Sequence, residues 1–434
     1  MEEAPGLKRI DKIFYGMGRF GSTTLLTIFS IATFYLYDKV YGVDPVLNGI
    51  ANALGKIAIA ISGFVMGYIS DITIHPKLGR RKPFIISGTT LLALSFILLY
   101  IPEFVISLQD KFLLFIWEAI WASSFNFFYG YLLTPYQAWL PEITRPDERV
   151  EVSGYENLFN ILGNIVGMGG AFAIPLILAL NRAIWYQLIV VLGITEILFY
   201  LPAYFRIREP EVYIKQPNIL KELKIVVSNV NYMTWIFSRG ILSVGVTMLT
   251  ALIMIFLEDY LHFIGLQYLI VAISVMIIIM FFFLIWGIIS KKYRIKKSMI
   301  IALASLGSAL VSLYMLRFIP AIATRQVLGI TLMLIGAIGL SGYWLFNYVI
   351  LANIIEGDTI LTGESRAGIY TGFDSIVLNL WQALGYMLTG YVRKMFVGEA
   401  HVAWGPIAGI FVLIGLLVFF YVDPEPHLTL KKEK

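Results

Sequence analysis

The chain has 434 residues, of which 59% are apolar and 14% are charged, and its formal net charge is +5. A soluble domain carries about 25% charged residues, so this composition excludes an ordinary soluble domain and predicts a membrane protein. The sequence contains no cysteine, which excludes disulfides, thiolate metal sites and cysteine nucleophiles.

Hydropathy predicts twelve transmembrane helices, because one span needs roughly 20 mostly apolar residues. In chain order the predicted spans are 13–37, 46–69, 84–105, 112–139, 157–180, 183–205, 233–257, 266–289, 298–319, 325–355, 368–392 and 401–422. Lysine and arginine are concentrated in the loops that lie on the same side as both termini. This bias predicts cytoplasmic N- and C-termini in a multi-pass protein of the cell membrane.

The first and seventh predicted helices carry the same polar stripe. The stripes are Arg19, Thr23, Thr27 and Ser30 in one helix, and Arg239, Ser243, Thr247 and Thr250 in the other. In both, the spacing is i, i+4, i+8 and i+11, which lies on one helix face. Because a polar stripe that faces lipid is costly, we expect both stripes to face the bundle interior or a polar cavity.

The repeat divides the chain into two halves. We predict an N-terminal six-helix bundle over 1–206, a cytoplasmic linker with an amphipathic helix over 207–232, and a C-terminal bundle with a short tail over 233–434. The predicted fold is therefore all-α, with two pseudo-symmetric six-helix bundles in the arrangement of the major facilitators.

Several motifs resemble the glycoside–pentoside–hexuronide cation symporters and their sucrose-transporter relatives. The motifs are Y-G-M-G-R-F-G at 15–21, G-Y-I-S-D-I-T-I-H-P-K-L-G-R-R-K-P-F at 67–84, Y-Q-A-W-L-P-E-I-T-R-P-D-E-R at 136–149, G-N-I-V-G at 163–167, and the glycine-rich segment 362–385. The resemblance implies secondary transport of a sugar or glycoside together with a cation.

The chain departs from this family at the positions of its ion and sugar sites. The acids with which sodium-using members bind the ion correspond to Ile59 and Gly63, and the sugar-binding acids correspond to Thr23 and Leu133. The family's lysine in helix eleven corresponds to Asn379. The comparison therefore argues against sodium and galactoside and favours a proton as the coupling ion.

Charged residues inside the apolar spans are candidates for function, because burying a charge is expensive. We predict Asp374 and Glu118 as proton-coupling residues. Arg19, Arg239 and Asp374 lie at similar depth in their helices, so they could meet in one layer, as a gate or as a fixed salt bridge. Lys56 lies near the middle of its span and is predicted to contact substrate or to pair with Asp374 or another acid.

The loop after the second helix predicts a cytoplasmic gate. In the superfamily pattern, the acid after this helix meets a positive partner, and an arginine pair stabilises one state of the gate. The predicted gating residues are Asp71, Arg80, Arg81 and Arg239. The alternative is a basic loop that serves topology alone.

Uncharged polar side chains on several helices suit a hydroxyl-rich solute, because amides both donate and accept hydrogen bonds. The predicted substrate-binding residues, including two cationic ones, are Arg19, Thr23, Thr27, Lys56, Asn126, Gln137, Asn164, Trp344, Asn347 and Asn379. Each of them could instead bond a neighbouring helix.

The sequence thus predicts a proton-coupled symporter for a sugar, glycoside or polyol that works by alternating access. Transport of an organic anion or amphiphile, or facilitated uniport, are the alternatives. A membrane enzyme or sensor is a further class, but the chain has no hydrolase motif and no phosphate loop. We expect no cofactor, no metal, no nucleic acid partner, a lipid bilayer environment and a monomer.

Overall fold

The computed structural model describes residues 6–73, 75, 78–145, 147–209, 219–364, 366–426 and 428. Among these residues the secondary structure is helical, apart from an isolated β-bridge between His75 and Gly79. The predicted all-α architecture is therefore confirmed for the described residues.

Twelve α-helices follow one another along the described chain. Their bounds are α1 Arg9–Tyr35, α2 Pro45–Ile72, α3 Lys82–Tyr100, α4 Lys111–Ile143, α5 Arg149–Leu180, α6 Arg182–Arg206, α7 Ile219–Ser228, α8 Val230–Asp259, α9 Leu266–Ser312, α10 Ile322–Thr362, α11 Ala367–Met395 and α12 Trp404–Phe419. Helix α1 continues into a π-helical turn, Leu36–Val40.

The predicted membrane spans correspond to these helices. Ten helices of the described chain are long and apolar enough to cross a membrane. One of them, α9, contains the eighth predicted span and, together with the 3-10 helix Leu313–Phe318 that follows it, nearly all of the ninth. It bends at Arg294, whose φ of 66° and ψ of 159° are not helical. The eleventh predicted span is α11, which is more polar than the others. The amphipathic linker helix is α7, and the linker residues 210–218 lie outside the described residues.

Side-chain caps explain where several helices begin. The Asp44 carboxylate accepts a hydrogen bond from the backbone N–H of Val46 at 2.9 Å, and Pro45 between them opens α2. Asp110 caps α4 and Asn229 caps α8 in the same way. Such caps satisfy backbone N–H groups that have no partner inside the helix.

The chain forms two compact units. The N-terminal unit contains Met1–Lys215 with Ile264–Leu266, and the C-terminal unit contains Gln216–Phe263 with Gln267–Lys434. In the N-terminal unit α1 packs against α5 and α6, and α4 packs against α2 and α3. In the C-terminal unit α8 packs against α11 and α12.

Glycines allow the closest of these contacts. A Cβ on Gly167 of α5 would lie 2.6 Å from the Cβ of Thr27 and 2.8 Å from the carbonyl oxygen of Thr24. In the C-terminal unit, a Cβ on Gly385 of α11 would lie 3.0 Å from the Cβ of Thr247. The hydroxyl stripes of α1 and α8 therefore face helices that are close enough for side-chain hydrogen bonds.

Candidate functional site

The arginine of the first stripe pairs with an acid on α5. Arg19 Nε lies 3.4 Å from Glu156 Oε1, and both side chains are largely buried. Neither Nε nor Nη1 of Arg19 makes a hydrogen bond, although both atoms are buried. The guanidinium is therefore partly neutralised but retains unused donors.

The hydroxyls of the same stripe bond to an amide stripe on α5. Thr23 Oγ1 donates to Asn160 Oδ1 at 2.7 Å, and Thr27 Oγ1 donates to Asn164 Oδ1 at 2.9 Å. The Nδ2 group of Asn164 donates to the carbonyl oxygen of Asn160. Thr27 is half-buried and Asn164 is exposed, so this end of the ladder can also be reached from outside the packed core.

The arginine of the second stripe also pairs with an acid, inside the C-terminal unit. Arg239 of α8 donates a hydrogen bond to the carboxylate of Asp374 on α11, and both side chains are buried. The offset along the chain from Arg19 to Arg239 is nearly the same as the offset from Glu156 to Asp374. Each half therefore holds its arginine with an acid on its own fifth membrane helix.

Glu118 lies in a fully buried polar contact between α4 and α2. Its Oε1 accepts a hydrogen bond from Asn52 Nδ2 at 2.9 Å, whereas its Oε2 is buried without a partner. Asn126 lies two turns further along α4 and donates to the carbonyl oxygen of Ala122, and its Oδ1 has no partner. A Cβ on Gly55 of α2 would lie 2.8 Å from Asn126 Nδ2, which explains the glycine.

Lys56 is a buried cation of the N-terminal unit. Only 8% of the residue is exposed. Within the part of the N-terminal unit that the structure describes, no hydrogen bond or ion pair to its ammonium group is found. The lysine therefore retains its capacity to bind an acceptor.

The remaining predicted binding residues have separate environments. In the C-terminal unit, Asn347 is buried with an unpaired Oδ1, Trp344 is half-buried, and buried Asn379 donates to the carbonyl oxygen of Ser375. In the N-terminal unit, Gln137 is exposed. Asn347 thus has a buried polar atom that makes no hydrogen bond.

The predicted gating residues of the N-terminal unit form one charged cluster. The Arg81 guanidinium donates to Asp71 at 2.5 Å, to Ser70 at 2.6 Å and to Glu142 at 2.7 Å. Arg80 donates to the same oxygen of Glu142 at 2.5 Å. Burial lowers the pKa of Arg81, but Glu142 and Asp71 outweigh it and raise the pKa above its usual value. The cluster fastens the start of α3 to the ends of α2 and α4.

Glu209, just after α6, fixes the same corner from another side. Its carboxylate accepts hydrogen bonds from the backbone N–H groups of Arg80, Arg81 and Lys82. Burial raises the pKa of Glu209 above its usual range, and these three hydrogen bonds oppose the shift. A carboxylate at this position matches the positive end of α3.

The C-terminal unit has a weaker version of this corner. Glu425, after α12, accepts a hydrogen bond from the backbone N–H of Ile295 at 3.2 Å. Ile295 directly follows the bend in α9, where the helix restarts. Arg366 contacts Asp358 at 3.5 Å and also bonds Glu364. The corner of each unit is therefore held by an acid that follows its last membrane helix.

Sequence reasoning missed several partners of the predicted residues. Glu142 lies inside the quoted segment 136–149, and the place of Glu156 in the first half, which nearly matches that of Asp374 in the second, could have indicated this acid. The shared position of Glu209 and Glu425 after the sixth helix of each half is a similar signal. Asn52 carries no such signal, because an uncharged residue in a helix does not stand out.

Metal ligands are not grouped in the described residues. No set of three or more histidine, aspartate or glutamate side chains there is close enough to hold a metal ion.

Two curated relatives share part of the sequence. An uncharacterized symporter of Synechocystis sp. is 30% identical over 164 residues, which cover 36% of this chain and 29% of the relative. A putative sulfoquinovose importer of Escherichia coli strain K12 is 29% identical over 151 residues, which cover 33% of this chain and 31% of the relative. The chain thus matches about a third of the length of each relative.

The fold is shared with solved transporter structures. A bacterial homologue of the human lysosomal transporter Spinster, inward-facing and unoccupied, superimposes with a TM-score of 0.70 at 13% sequence identity. The match covers 98% of this chain and 97% of that structure. The predicted major facilitator fold is therefore confirmed.

The family described as MFS/sugar transport protein matches residues 14–399. This match covers nearly the whole chain and both stripes, and it agrees with the sequence resemblance to cation symporters. The chain is therefore a multi-pass membrane protein that belongs to the MFS sugar transport family, a family of transporters and not of enzymes.

Proposed function

We propose that the protein is a secondary active transporter that carries a sugar, glycoside or polyol together with a proton by alternating access. The choice of a proton as the coupling ion, and of Glu118 as its binding site, rests on one observation. Glu118 is a fully buried acid whose hydrogen-bond donor is a neutral amide, whereas Asp374 is held by the cationic Arg239.

The different partners suit the two acids to different roles. A buried carboxylate beside an arginine is stabilised in its ionised form, so Asp374 is suited to a fixed or gating ion pair. A buried carboxyl without a cation is stable only when neutral, because an isolated ionised group is expensive to bury. Glu118 is therefore the better proton-binding group of the two residues that the sequence indicates.

Candidate solute-binding residues are proposed on the polar faces of the membrane helices of each unit. In the N-terminal unit, Thr27 and Asn164 form the accessible end of the α1–α5 ladder, and in the C-terminal unit, Asn347 has an unused acceptor. Amides and hydroxyls at such positions match the donors and acceptors of a sugar. The proposal also keeps the remaining predicted binding residues as further contacts to the solute.

The charged cluster of Asp71, Arg80, Arg81 and Glu142 is proposed as a cytoplasmic gate. Arginines that bond a shared carboxylate fix the end of α4 relative to the loop before α3. Such a network has two discrete arrangements, bonded and broken, which is what a gate requires. The proposal includes a monomer in the cell membrane with both termini in the cytoplasm.

Transport by purified protein in proteoliposomes tests this function. A panel of radiolabelled sugars is first used in counterflow, and the substrate found is then offered with an inward proton gradient. We expect saturable counterflow and accumulation that collapses when a protonophore is added. Counterflow without accumulation would identify a uniporter, and no saturable transport of any sugar would overturn the substrate class.

The variant Glu118→Gln tests the coupling site. It is expected to keep counterflow, because a neutral amide resembles the protonated acid, and to lose proton-driven accumulation. Glu196→Gln is the matched control, since Glu196 is another fully buried acid and its neutral donor is Ser22 at 2.8 Å. Full accumulation by Glu118→Gln would remove Glu118 from the role.

Transport of an anionic solute is the second candidate. Lys56 and the unused donors of Arg19 favour it, because both could bind a carboxylate or sulfonate. The relative named as a putative sulfoquinovose importer points to the same class, since sulfoquinovose is a sulfonated sugar.

Competition in counterflow separates the two candidates. Glucose and glucuronate differ in one carboxylate, so an anion carrier should prefer glucuronate and a neutral-sugar carrier should not. In an anion carrier, Lys56→Gln should abolish this preference while the control Lys56→Arg retains it. Equal competition in the unmodified protein would overturn the anionic alternative.

A further inference from the structure

Asn52 and Glu118 share one hydrogen bond, and each also has a side-chain oxygen that makes no hydrogen bond. Asn52 Nδ2 donates to Glu118 Oε1 at 2.9 Å. Asn52 Oδ1 and Glu118 Oε2 are both buried, and both are without a hydrogen-bond partner. Each residue is fully buried, so water on the surface of the protein does not satisfy these oxygens.

The two unused atoms are both acceptors when Glu118 is ionised. A carboxylate has no hydrogen to donate, and an amide oxygen accepts only. A proton on Oε2 changes this, because the resulting O–H can donate to Asn52 Oδ1. The acid and the amide then form a closed pair of two hydrogen bonds, N–H to Oε1 and O–H to Oδ1. One proton thus satisfies both unpaired oxygens.

The neighbouring residue Asn48 supplies further acceptors. Asn52 Nδ2 also lies 2.8 Å from Asn48 Oδ1 and 3.0 Å from the Asn48 carbonyl oxygen, so three acceptors compete for its two hydrogens. Asn48 Nδ2 donates to the carbonyl oxygen of Phe34 on α1 at 2.9 Å. This chain of amides connects Glu118 on α4, through α2, to the helix that carries the first polar stripe.

The elements packed on this contact carry three titratable or charged side chains. Asp38 and Tyr37, in the π-helical turn that ends α1, act electrostatically on Glu118. Lys56 follows Asn52 by four residues on α2. The negative charge of Asp38 opposes ionisation of Glu118, and Lys56 makes no ion pair with Glu118. The electrostatic surroundings are therefore compatible with a neutral acid.

We propose that Asn52 is the positioning residue that holds the coupling proton on Glu118 and signals its loss. With the proton present, the acid–amide pair is closed and joins α4 to α2. When the proton leaves Oε2 for water, Oε2 and Asn52 Oδ1 become unpaired acceptors, so the amide must rotate and the connection through Asn48 to α1 loosens. This inference rests on the proposed proton-coupled transport.

Infrared difference spectroscopy of the purified protein tests the pair without measuring transport. The carboxylic C=O band of protonated Glu118 is assigned by its loss in Glu118→Gln and then followed against pH. In Asn52→Leu the band should move to higher wavenumber, because Oε1 loses its donor, and its titration midpoint should change. An unchanged band position in Asn52→Leu would overturn the proposal, as would the absence of the band at every pH at which the protein is folded.

An exchange of the two side chains tests the pair in transport. Asn52→Asp combined with Glu118→Gln restores one acid and one amide with their positions reversed. We expect each single variant to lose at least tenfold in proton-driven accumulation, and the double variant to recover a large part of it. Counterflow by all variants checks that they are folded, and a double variant no better than Glu118→Gln would contradict the proposal.

The outcomes separate this inference from the proposed function. A band that responds to Asn52→Leu, in a protein whose uptake is independent of the proton gradient, would leave the acid–amide pair in place and overturn proton coupling. Proton-driven uptake together with a band that is insensitive to Asn52→Leu would support proton coupling and overturn the acid–amide pair.

Discussion

The two units share one scaffold but treat their membrane charges differently. In the C-terminal unit, the deep arginine of the stripe donates a hydrogen bond to Asp374. In the N-terminal unit, Arg19 lies 3.4 Å from Glu156, while Glu118 and Glu196 are held by the neutral side chains Asn52 and Ser22. The duplicated helices thus fix charge in one half and retain titratable groups in the other.

The charged corners of the two units also differ in how many partners their acids bind. Glu142 in the N-terminal unit binds two arginines, whereas Asp358 in the C-terminal unit contacts Arg366 at 3.5 Å. Glu209 accepts three backbone hydrogen bonds where Glu425 accepts one from Ile295. The charged corner of the N-terminal unit is therefore held by more contacts than that of the C-terminal unit. The buried acids inside the N-terminal unit, in contrast, have fewer cationic partners.

The largest expected effect is on the C-terminal ion pair. Asp374→Asn leaves Arg239 buried without its counter-charge, which should destabilise the protein by about 3–5 kcal/mol. Glu156→Gln, the matched change in the N-terminal unit, should cost less, about 1–2 kcal/mol, because the Arg19 contact is longer, at 3.4 Å, and somewhat more exposed than the Arg239 contact. Denaturant unfolding in detergent micelles measures both, and equal losses would contradict the distinction between the units.

The next effect concerns the two corners. Glu142→Gln should destabilise by about 2–3 kcal/mol, because a buried acceptor for two arginines loses its charge while Asp71 still binds Arg81. The control Asp358→Asn should cost about 1 kcal/mol, since its contact with Arg366 is longer. Thermal unfolding followed by circular dichroism is the measurement. A larger loss for Asp358→Asn would reverse the comparison.

Helix packing gives a smaller difference. Gly167→Ala should cost about 2 kcal/mol, because the new methyl group would lie 2.6 Å from the Thr27 Cβ and 2.8 Å from a backbone oxygen. Gly385→Ala should cost about 1 kcal/mol, since its nearest atom, the Thr247 Cβ, is 3.0 Å away. Unfolding midpoints in the same detergent compare the two, and the idea fails if Gly385→Ala is the more harmful change.

The smallest effect concerns the acids at the helix starts. Glu209→Gln should cost about 1 kcal/mol, and Glu425→Gln about 0.5 kcal/mol, because an amide has one acceptor oxygen where a carboxylate has two, and Glu209 serves more backbone donors. The pH dependence gives a second readout. Since the pKa of Glu209 is raised in the folded protein, ionisation reduces stability as pH rises from its usual value of 4.5 through the raised pKa.

Glu209→Gln should therefore remove a decline in stability over this pH range. Unfolding free energies at a series of pH values for the variant and the unmodified protein make the comparison. A difference between them that does not change with pH would contradict the raised pKa.

The sequence was sufficient to predict the membrane class, the helical spans and the duplication, because these depend on the hydropathy and the residue pattern of each segment. A run of apolar residues predicts a span whatever its neighbours are. The matched stripes of Arg19 and Arg239 predicted the two halves in the same way. Where the pattern was interrupted, at the bend of α9 and in the polar α11, the predicted spans still corresponded to helical segments.

The partners of the polar residues could not be predicted in this way. Arg19, Arg239 and Asp374 were expected to be able to meet in one layer; within the C-terminal unit Arg239 bonds Asp374, and within the N-terminal unit Arg19 contacts Glu156. Thr23 and Thr27 were expected to face solute, and their hydroxyls bond amides of α5. Asn52 had no predicted role, although it is the residue that reaches Glu118.

By itself, the sequence determined that this chain crosses a membrane with two repeated sets of helices, because burial of apolar runs in lipid is a property of each segment alone. Only the tertiary structure decided which buried charges are neutralised and which are not. That outcome depends on how each helix is rotated against its neighbours, and a rotation of one residue replaces one partner by another. Glu118 and Asp374 are both acids within apolar helices, and only their neighbours, an amide and a guanidinium, distinguish the proposed proton site from an ion pair.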